Sequence, residues 1–328
     1  MSNAVRFAKI NAEKHNFNDL YSQNDPRDYF KYLGQLDYII PHVAQPIFDE
    51  LIRARGVRQA KPVTVLDVGA SYGINGALMK CGVQYEALRE RYTAPALQNL
   101  SDDELLELDR AYYRSWPRRD NVRVIGLDVS ENAIRYAEAC GIIDQGIVAD
   151  LEAEKPGPEV AAELANVDLI VSTGCVGYVT SKTFERICNL SRPGRAPWVA
   201  SFVLRMFPYD HIAAALAQYG LVTEKFEGAT FIQRRFADRA EMEATVATLE
   251  RRGIDTRARE AGGLYHAELF ISRPQEEIDR CPIQNLVSVV SGVDKPWMIG
   301  TNVLGGYGPA ARQKARAGRS QLTLAPKS

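Results

Sequence analysis

The residues best placed for chemistry are three aspartates, Asp67, Asp128 and Asp150, each at or near the end of an apolar run. Around Asp67 the chain reads VTVLDVGASYGING, Val63 to Gly76. Gly69 and Gly73 bracket Ala70, Ser71 and Tyr72, and a residue without a Cβ lets the backbone bend sharply and approach a ligand closely. Asp128 ends NVRVIGLD, and a carboxylate there can accept hydrogen bonds from both hydroxyls of a ribose. Asp150 ends QGIVAD, where a loop aspartate capping a turn is the plain alternative. The glycine spacing, D-x-G-x-x-x-G, is not the G-x-G-x-x-G of dinucleotide binding, which speaks against a nicotinamide dehydrogenase.

These residues need strands and helices to hold them. Val63, Val65, Leu66 and Val68 suit a strand buried on both faces of a parallel sheet, with a helix after the glycine turn. Further strands are expected at Val122–Asp128, in QGIVADLE, in NVDLIV and in WVASFVLRMF, each followed by a helical pattern. Thr230–Phe236 and LYHAELFIS give two more strands around a helix that begins at Asp238 and ends at Gly253. Ahead of this core, Asp25 and Pro26 signal a helix start, and Ile47, Phe48, Leu51 and Ile52 fall at helical spacing. Residues 83–121 read as a helical insertion, with Ser101 and Glu104 as a capping box. Insertions of this length form lids or peripheral decorations.

Strand, glycine turn and helix, with Asp67 two residues before Gly69 and Asp128 on the next strand, resemble class I S-adenosylmethionine-dependent methyltransferases of the small-molecule type. The resemblance covers about residues 60–273. It implies an α/β fold: a doubly wound, Rossmann-like, seven-stranded, mostly parallel sheet whose last strand is antiparallel. It divides the chain into an N-terminal helical cap (1–60), a core (61–273) and a C-terminal extension (274–328). S-adenosylmethionine is the implied cofactor. The implied cofactor residues are Asp67, Gly69, Ala70, Ser71, Tyr72, Gly73, Asp128, Val129, Asp150, Leu151, Thr173 and Gly174. Asp128 would hold the ribose and Asp150 the adenine amino group, while the loop from Ser172 to Tyr178 would lie beside the methionine part.

The acceptor side is less sharply marked. Tyr178, in that loop, and His211, beyond the fifth strand, are the candidate catalytic residues. Tyr29, Tyr32, Arg205 and Tyr209 are the candidate substrate-binding residues, with Tyr38, His266 and Glu268 as further candidates. The cap tyrosines would either pack the cap onto the sheet or line the pocket. Cys175 suits a small buried hydrophobe better than a nucleophile. The loop lacks the [DNS]-P-P-[YF] pattern of amino-methyltransferases acting on nucleic-acid bases. Methyl transfer to a small molecule such as an amino acid, amine, phenol or carboxylate is the expected activity. A protein or peptide methyltransferase and a non-catalytic cofactor-binding module are the alternatives.

Composition sets the outer bounds. The 328 residues carry a net charge of −1, with 46% hydrophobic and 25% charged residues. That gives no global field for nucleic acid or an anionic membrane. The cysteines Cys81, Cys140, Cys175, Cys188 and Cys281 form no C-x-x-C pair, so neither a metal site nor a disulfide framework is expected. No run approaches the ~18 apolar residues of a membrane span, and the expected location is cytoplasmic. The segment around Trp297 would dock on the core, close the site or pair two subunits as a homodimer.

Overall fold

Apolar, β-branched runs form the middle of the sheet because they are buried on both sides. In the computed structural model, which describes residues 18–57, 59–192 and 194–289, every residue of β1 (Val63–Val68) and β5 (Trp198–Leu204) is buried. The other strands are β2 (Val122–Asp128), β3 (Gln145–Val148), β4 (Leu169–Thr173), β6 (Leu221–Lys225), β7 (Phe231–Arg235) and β8 (Leu264–Pro274). Their order is β3-β2-β1-β4-β5-β8-β6, with β7 also on β8. The first five strands are parallel, and β8 runs antiparallel to β5, β6 and β7.

Eight strand segments fill seven positions. β6 pairs with Phe270–Pro274 and β7 with Leu264–Ala267, so the two share one flank of the long β8. Sequence reasoning missed β6 because LVTEK is half polar and only Leu221 of it is buried. The expected doubly wound sheet and its antiparallel last strand are otherwise present. The switch point, where the strand order reverses, lies between β1 and β4, and open α/β sheets bind ligands at the carboxyl edge there.

The cap consists of the helices Asn18–Tyr21, Arg27–Gln35 and Ile40–Gly56. Asp25 does not cap by its position alone: its Oδ1 accepts from Arg27 N at 2.9 Å, and the helix begins at Arg27. Pro41 sits in the first turn of the third helix, where a missing N–H costs nothing, and Pro46 lies inside it. Val43, Ala44, Ile47, Phe48 and Leu51 of that helix are buried in the core. The chain between the helices is stitched to β7: Ile39 N donates to Gln233 O (2.9 Å) and Arg235 N to Leu36 O (2.7 Å).

The insertion folds into the helices Tyr85–Thr93, Pro95–Gln98 and Asp102–Ser115, and Ser101 and Glu104 form the expected capping box. It acts as a bracket. Fully buried Asp109 accepts from Arg91 and from the Tyr136 hydroxyl on the helix Glu131–Ala139. Tyr92 hydroxyl meets those of Tyr113 and Tyr136, each at 2.9 Å, and its ring stacks on Phe30 of the cap at 5.0 Å. The segment around Trp297 and the basic run after it lie outside the described residues. No helix among the described residues is long and apolar enough to cross a membrane.

Candidate active site

The site starts with the bend after β1. Gly69 and Ala70 both donate to Leu127 O, at 2.9 and 3.1 Å, which pins the bend to the end of β2. Gly69 has φ +78°, and a Cβ there would stand 2.7 Å from Cys175 Sγ. The glycine is therefore required twice, by conformation and by the close approach of the loop after β4. Gly73 is required on the same two counts: it has φ +73°, and a Cβ there would meet Ala137 and Ile142 at 2.9 Å. It packs one helix against another and does not line the cavity described below.

Asp128 ties the bend to the next loop. Its Oδ2 accepts from Ser71 N at 2.9 Å and its Oδ1 from Ser130 N at 3.0 Å. Each oxygen keeps a lone pair for a further donor. Asp150 caps its own turn, its Oδ1 accepting from Glu152 N (2.8 Å) and Ala153 N (3.1 Å). The turn-capping alternative for Asp150 therefore holds, and the residue still faces the same cavity.

Asp67 stands one layer behind. It is 1% exposed, and its Oδ1 accepts from Asn75 Nδ2 at 3.1 Å. The same nitrogen lies 3.1 Å from Thr173 Oγ1 at the end of β4. Burial pushes the Asp67 carboxyl up to about 7, against the lowering effect of Asn75. Asp67 Oδ2, Asn75 Oδ1 and Ser71 Oγ are buried without a hydrogen-bond partner. Three orphaned polar atoms around one turn are unusual, since buried polar groups are as a rule paired.

These residues border one open cavity of about 790 Å³. One half is lined by Gly69, Ala70, Ser71, Asn75, Asp128, Val129, Asp150 and Leu151. The other half is walled by Tyr21, Tyr29 and Tyr38 of the cap, by Thr173, Gly174, Cys175 and Tyr178, and by Gln233 and Arg234 of β7. Burial raises the phenol pKa of Tyr21, Tyr29, Tyr38 and Tyr178 above the ordinary value. Arg234 is neutralised by Glu241, with nitrogen–oxygen distances of 3.0 and 2.6 Å. Glu152 accepts from the backbone and hydroxyls of Thr180 and Thr183, anchoring the loop after β3 to the helix Ser181–Cys188.

Several expected site residues stand elsewhere. Tyr72 turns toward the cap, its hydroxyl donating to Leu20 O (2.8 Å) and Gln23 O (3.0 Å). Tyr32 is 45% exposed on the outer face of its helix. Arg205 pairs with buried Glu260 at 2.5 Å and donates to Asp255 O at 2.9 Å. Tyr209 stacks on Phe270 with centroids 4.4 Å apart. His211 begins the helix Asp210–Ala217 and does not line the cavity. His266 is fully buried against Thr230, and Glu268 pairs with Lys225 at 3.0 Å. For the residues after β5 and on β8 the reason is topological: β5 lies on the far side of β4 from the switch point and is flanked there by β8.

Sequence reasoning missed Tyr21, Asn75, Glu152, Gln233 and Arg234. Asn75 carried a signal, a polar residue in the apolar helix start after the glycine turn. Gln233 carried only its polarity within FIQRRF. None of the insertion lines the cavity, so it is a bracket and not a lid. Among the described residues, no group of three or more histidine, cysteine, aspartate or glutamate side chains is placed to hold a metal ion.

No family model matches the chain, and no curated protein matches it. Solved structures do. The TehB-like SAM-dependent methyltransferase from Corynebacterium glutamicum ATCC 13032 Kitasato is 15% identical, covering 68% of this chain and 86% of its own, with a TM-score of 0.32. The plantazolicin methyltransferase BpumL in complex with SAH is 12% identical, covering 83% and 99%, with a TM-score of 0.40. The [4+2]-cyclase SpnF is 15% identical, covering 69% and 80%, with a TM-score of 0.35. At these identities and scores the likeness carries no functional weight. The chain's own sheet, seven positions wide with an antiparallel last strand, has the fold of class I S-adenosylmethionine-dependent methyltransferases.

Proposed function

We propose that this chain is an enzyme that transfers a methyl group from S-adenosylmethionine to a small-molecule acceptor. One observation carries the reading: the Gly69 bend, Asp128 and Asp150 come from three strand ends and border a single cavity. Asp128 is suited to a ribose, because both oxygens are held by backbone N–H groups and each retains a lone pair. Asp150 and Leu151 are suited to the adenine edge. Asn75 and Ser71 offer orphaned oxygens on the cavity wall for the amino-acid end, with Asp67 behind Asn75, and an ammonium group bound there would favour the ionised form of Asp67.

Bound S-adenosylmethionine supplies a methyl group already activated on a sulfonium. What this chain's residues must then do is align the acceptor, and positioning of that kind supplies about 7–11 kcal/mol of barrier reduction in favourable cases. The aromatic walls Tyr21, Tyr29 and Tyr38 favour positive charge near their faces and exclude water. Their phenols, and that of Tyr178, stay protonated at neutral pH, so they donate hydrogen bonds and do not act as bases. Tyr178 is 52% exposed, which suits a residue that borders acceptor entry. An acceptor served by this wall is nucleophilic without prior deprotonation by the protein, or gives its proton to solvent.

Calorimetry with S-adenosylhomocysteine and with NAD tests the cofactor assignment: micromolar binding of the former alone is expected. An assay for S-adenosylhomocysteine formation across amines, amino acids, phenols and carboxylic acids then tests turnover. Micromolar NAD binding, or no binding of either compound, would end the reading. Binding without turnover on any acceptor class would leave a cofactor-binding module in its place.

A further inference from the structure

One side chain on the cavity wall has hydrogen-bonding capacity that the protein does not use. Gln233, in the middle of β7, is 6% exposed, and its Oε1 is buried with no partner. Among the described residues its carboxamide makes no hydrogen bond at all, although a buried amide is costly to leave unpaired. Its place is fixed from both sides. Gln233 O accepts from Ile39 N of the cap, and its side chain lies flat over Gly174, where a Cβ would come within 2.8 Å of Nε2. Gly174 has φ +71° and leaves the room the carboxamide occupies.

The charged side chains Arg234 and Glu152 of the cavity wall are already hydrogen-bonded within the protein. Arg234 is bound by Glu241, whose Oε2 also accepts from Ala237 N at 2.8 Å. Glu152 is saturated by Thr180 and Thr183. Tyr21, Tyr29 and Tyr38 of the cap and Tyr178 also line this cavity. A tyrosine-lined wall with one unpaired carboxamide selects for shape and for a matching donor–acceptor edge.

We infer that Gln233 determines acceptor specificity, and that the acceptor is a planar compound presenting a neighbouring hydrogen-bond donor and acceptor, as an amide or a lactam-like heteroaromatic edge does. The carboxamide C=O accepts from that edge and its N–H donates to it, a two-point contact that an ester, an ammonium or a carboxylate cannot reproduce. The inference deepens the methyl-transfer reading and rests on it for the role of acceptor. The binding it describes can be measured without turnover.

The test uses the full chain, with and without S-adenosylhomocysteine, and reads the binding of benzamide, 2-pyridone and benzoate by calorimetry or ligand-observed NMR. Benzamide and 2-pyridone are expected to bind about tenfold more tightly than benzoate, which offers no donor. Gln233→Leu should remove that advantage, a loss on the order of tenfold for one or two neutral hydrogen bonds. Gln233→Glu, nearly isosteric, should lose it too and guards against misfolding of the leucine variant. S-adenosylhomocysteine affinity should stay within about twofold in both. Failure of both amide probes to bind at millimolar concentration, a preference for benzoate, or unchanged amide binding in Gln233→Glu overturns the inference. If S-adenosylhomocysteine does not bind the native chain, the methyl-donor reading falls, and the probes in its absence still decide what Gln233 recognises.

Discussion

Replacing Asp128 by alanine probes the cofactor reading most directly, because this carboxylate has two separable tasks. Inside the protein it accepts from Ser71 N and Ser130 N, at 2.9 and 3.0 Å, and so joins the glycine bend to the loop after β2. Toward the cavity its remaining lone pairs would accept two ribose hydroxyls. Hydrogen bonds to a charged acceptor contribute about 1.5–3 kcal/mol each, so two of them amount to roughly 3–6 kcal/mol, or about 10²–10⁴ in affinity. Asp128 is half-buried and water can replace part of the loss, so the lower end, about 10²-fold, is expected. The freed Ser71 N–H belongs to a buried residue and the Ser130 N–H to a half-buried one, and the stability loss should be about 1–3 kcal/mol. Calorimetry with S-adenosylhomocysteine reads the affinity and urea unfolding reads the stability. Free adenine, which lacks the sugar, is the control and should bind Asp128→Ala as it binds the native chain. Asp128→Asn keeps one acceptor oxygen and should fall between the two. If Asp128→Ala is folded and binds S-adenosylhomocysteine within about threefold of the native protein, the ribose assignment is wrong. Equal losses for adenine and the nucleoside would mean that only the loop geometry had been damaged.

Other perturbations follow from the same structure. Gly69→Ala drives a Cβ into Cys175 Sγ and imposes φ +78° on a side chain; it should cost about 2–4 kcal/mol, and adding Cys175→Gly should return the contact part while about 1 kcal/mol of backbone strain remains, as a double-mutant cycle would show. Burial raises Asp67 to about 7 in the folded chain, so the fold binds more protons than the unfolded chain between the ordinary carboxylate pKa and 7. That contribution to stability is complete at low pH, is lost as pH rises toward 7 and is flat above it; Asp67→Asn should remove Asp67's share of the slope in unfolding curves taken from pH 4 to 7, while Glu260, which burial also pushes up to about 7, keeps its own. An ammonium-bearing ligand that ionises Asp67 should release a proton on binding near pH 6; calorimetric heats independent of buffer ionisation enthalpy would separate Asp67 from the ligand's amino group. Asp109→Ala leaves Arg91 and the Tyr136 hydroxyl without their buried acceptor and should cost about 3–5 kcal/mol in chemical denaturation. Because the insertion does not touch the cavity, its effect on S-adenosylhomocysteine affinity should be within about twofold once the protein is folded.

The legible part of this molecule is the part whose physics is local. A buried parallel strand must be apolar, a bend pressed against another loop must be glycine, and a capped helix must begin with an acceptor such as Ser101. Each of these leaves a mark within a few residues, which is why β1, the Gly69 bend, Asp128 and the capping box could be placed from order alone. β6 was hidden because an edge segment that shares a position with β7 buries only Leu221 and needs little hydrophobic pattern. Arg205, Tyr209 and His211 were misplaced for a different reason: strand ends look alike in sequence, while only those beside the switch point face the cavity, and β5 is displaced from it by β4. Gln233 and Arg234 show the converse. They reach the cavity through two non-local facts, the antiparallel pairing of β7 with β8 and the pairing of β7's free edge with Leu36 and Ile39 of the cap. No periodicity in FIQRRF encodes either one. The wall contributed by the ends of β1, β2 and β3 is thus written in short local runs, and the wall contributed by β7 and the cap in contacts between segments some 200 residues apart, as in the Arg235–Gln35 hydrogen bond. Chemistry carried by the first can be inferred from a string of letters, whereas selectivity carried by the second needs the fold before the residues responsible can be named.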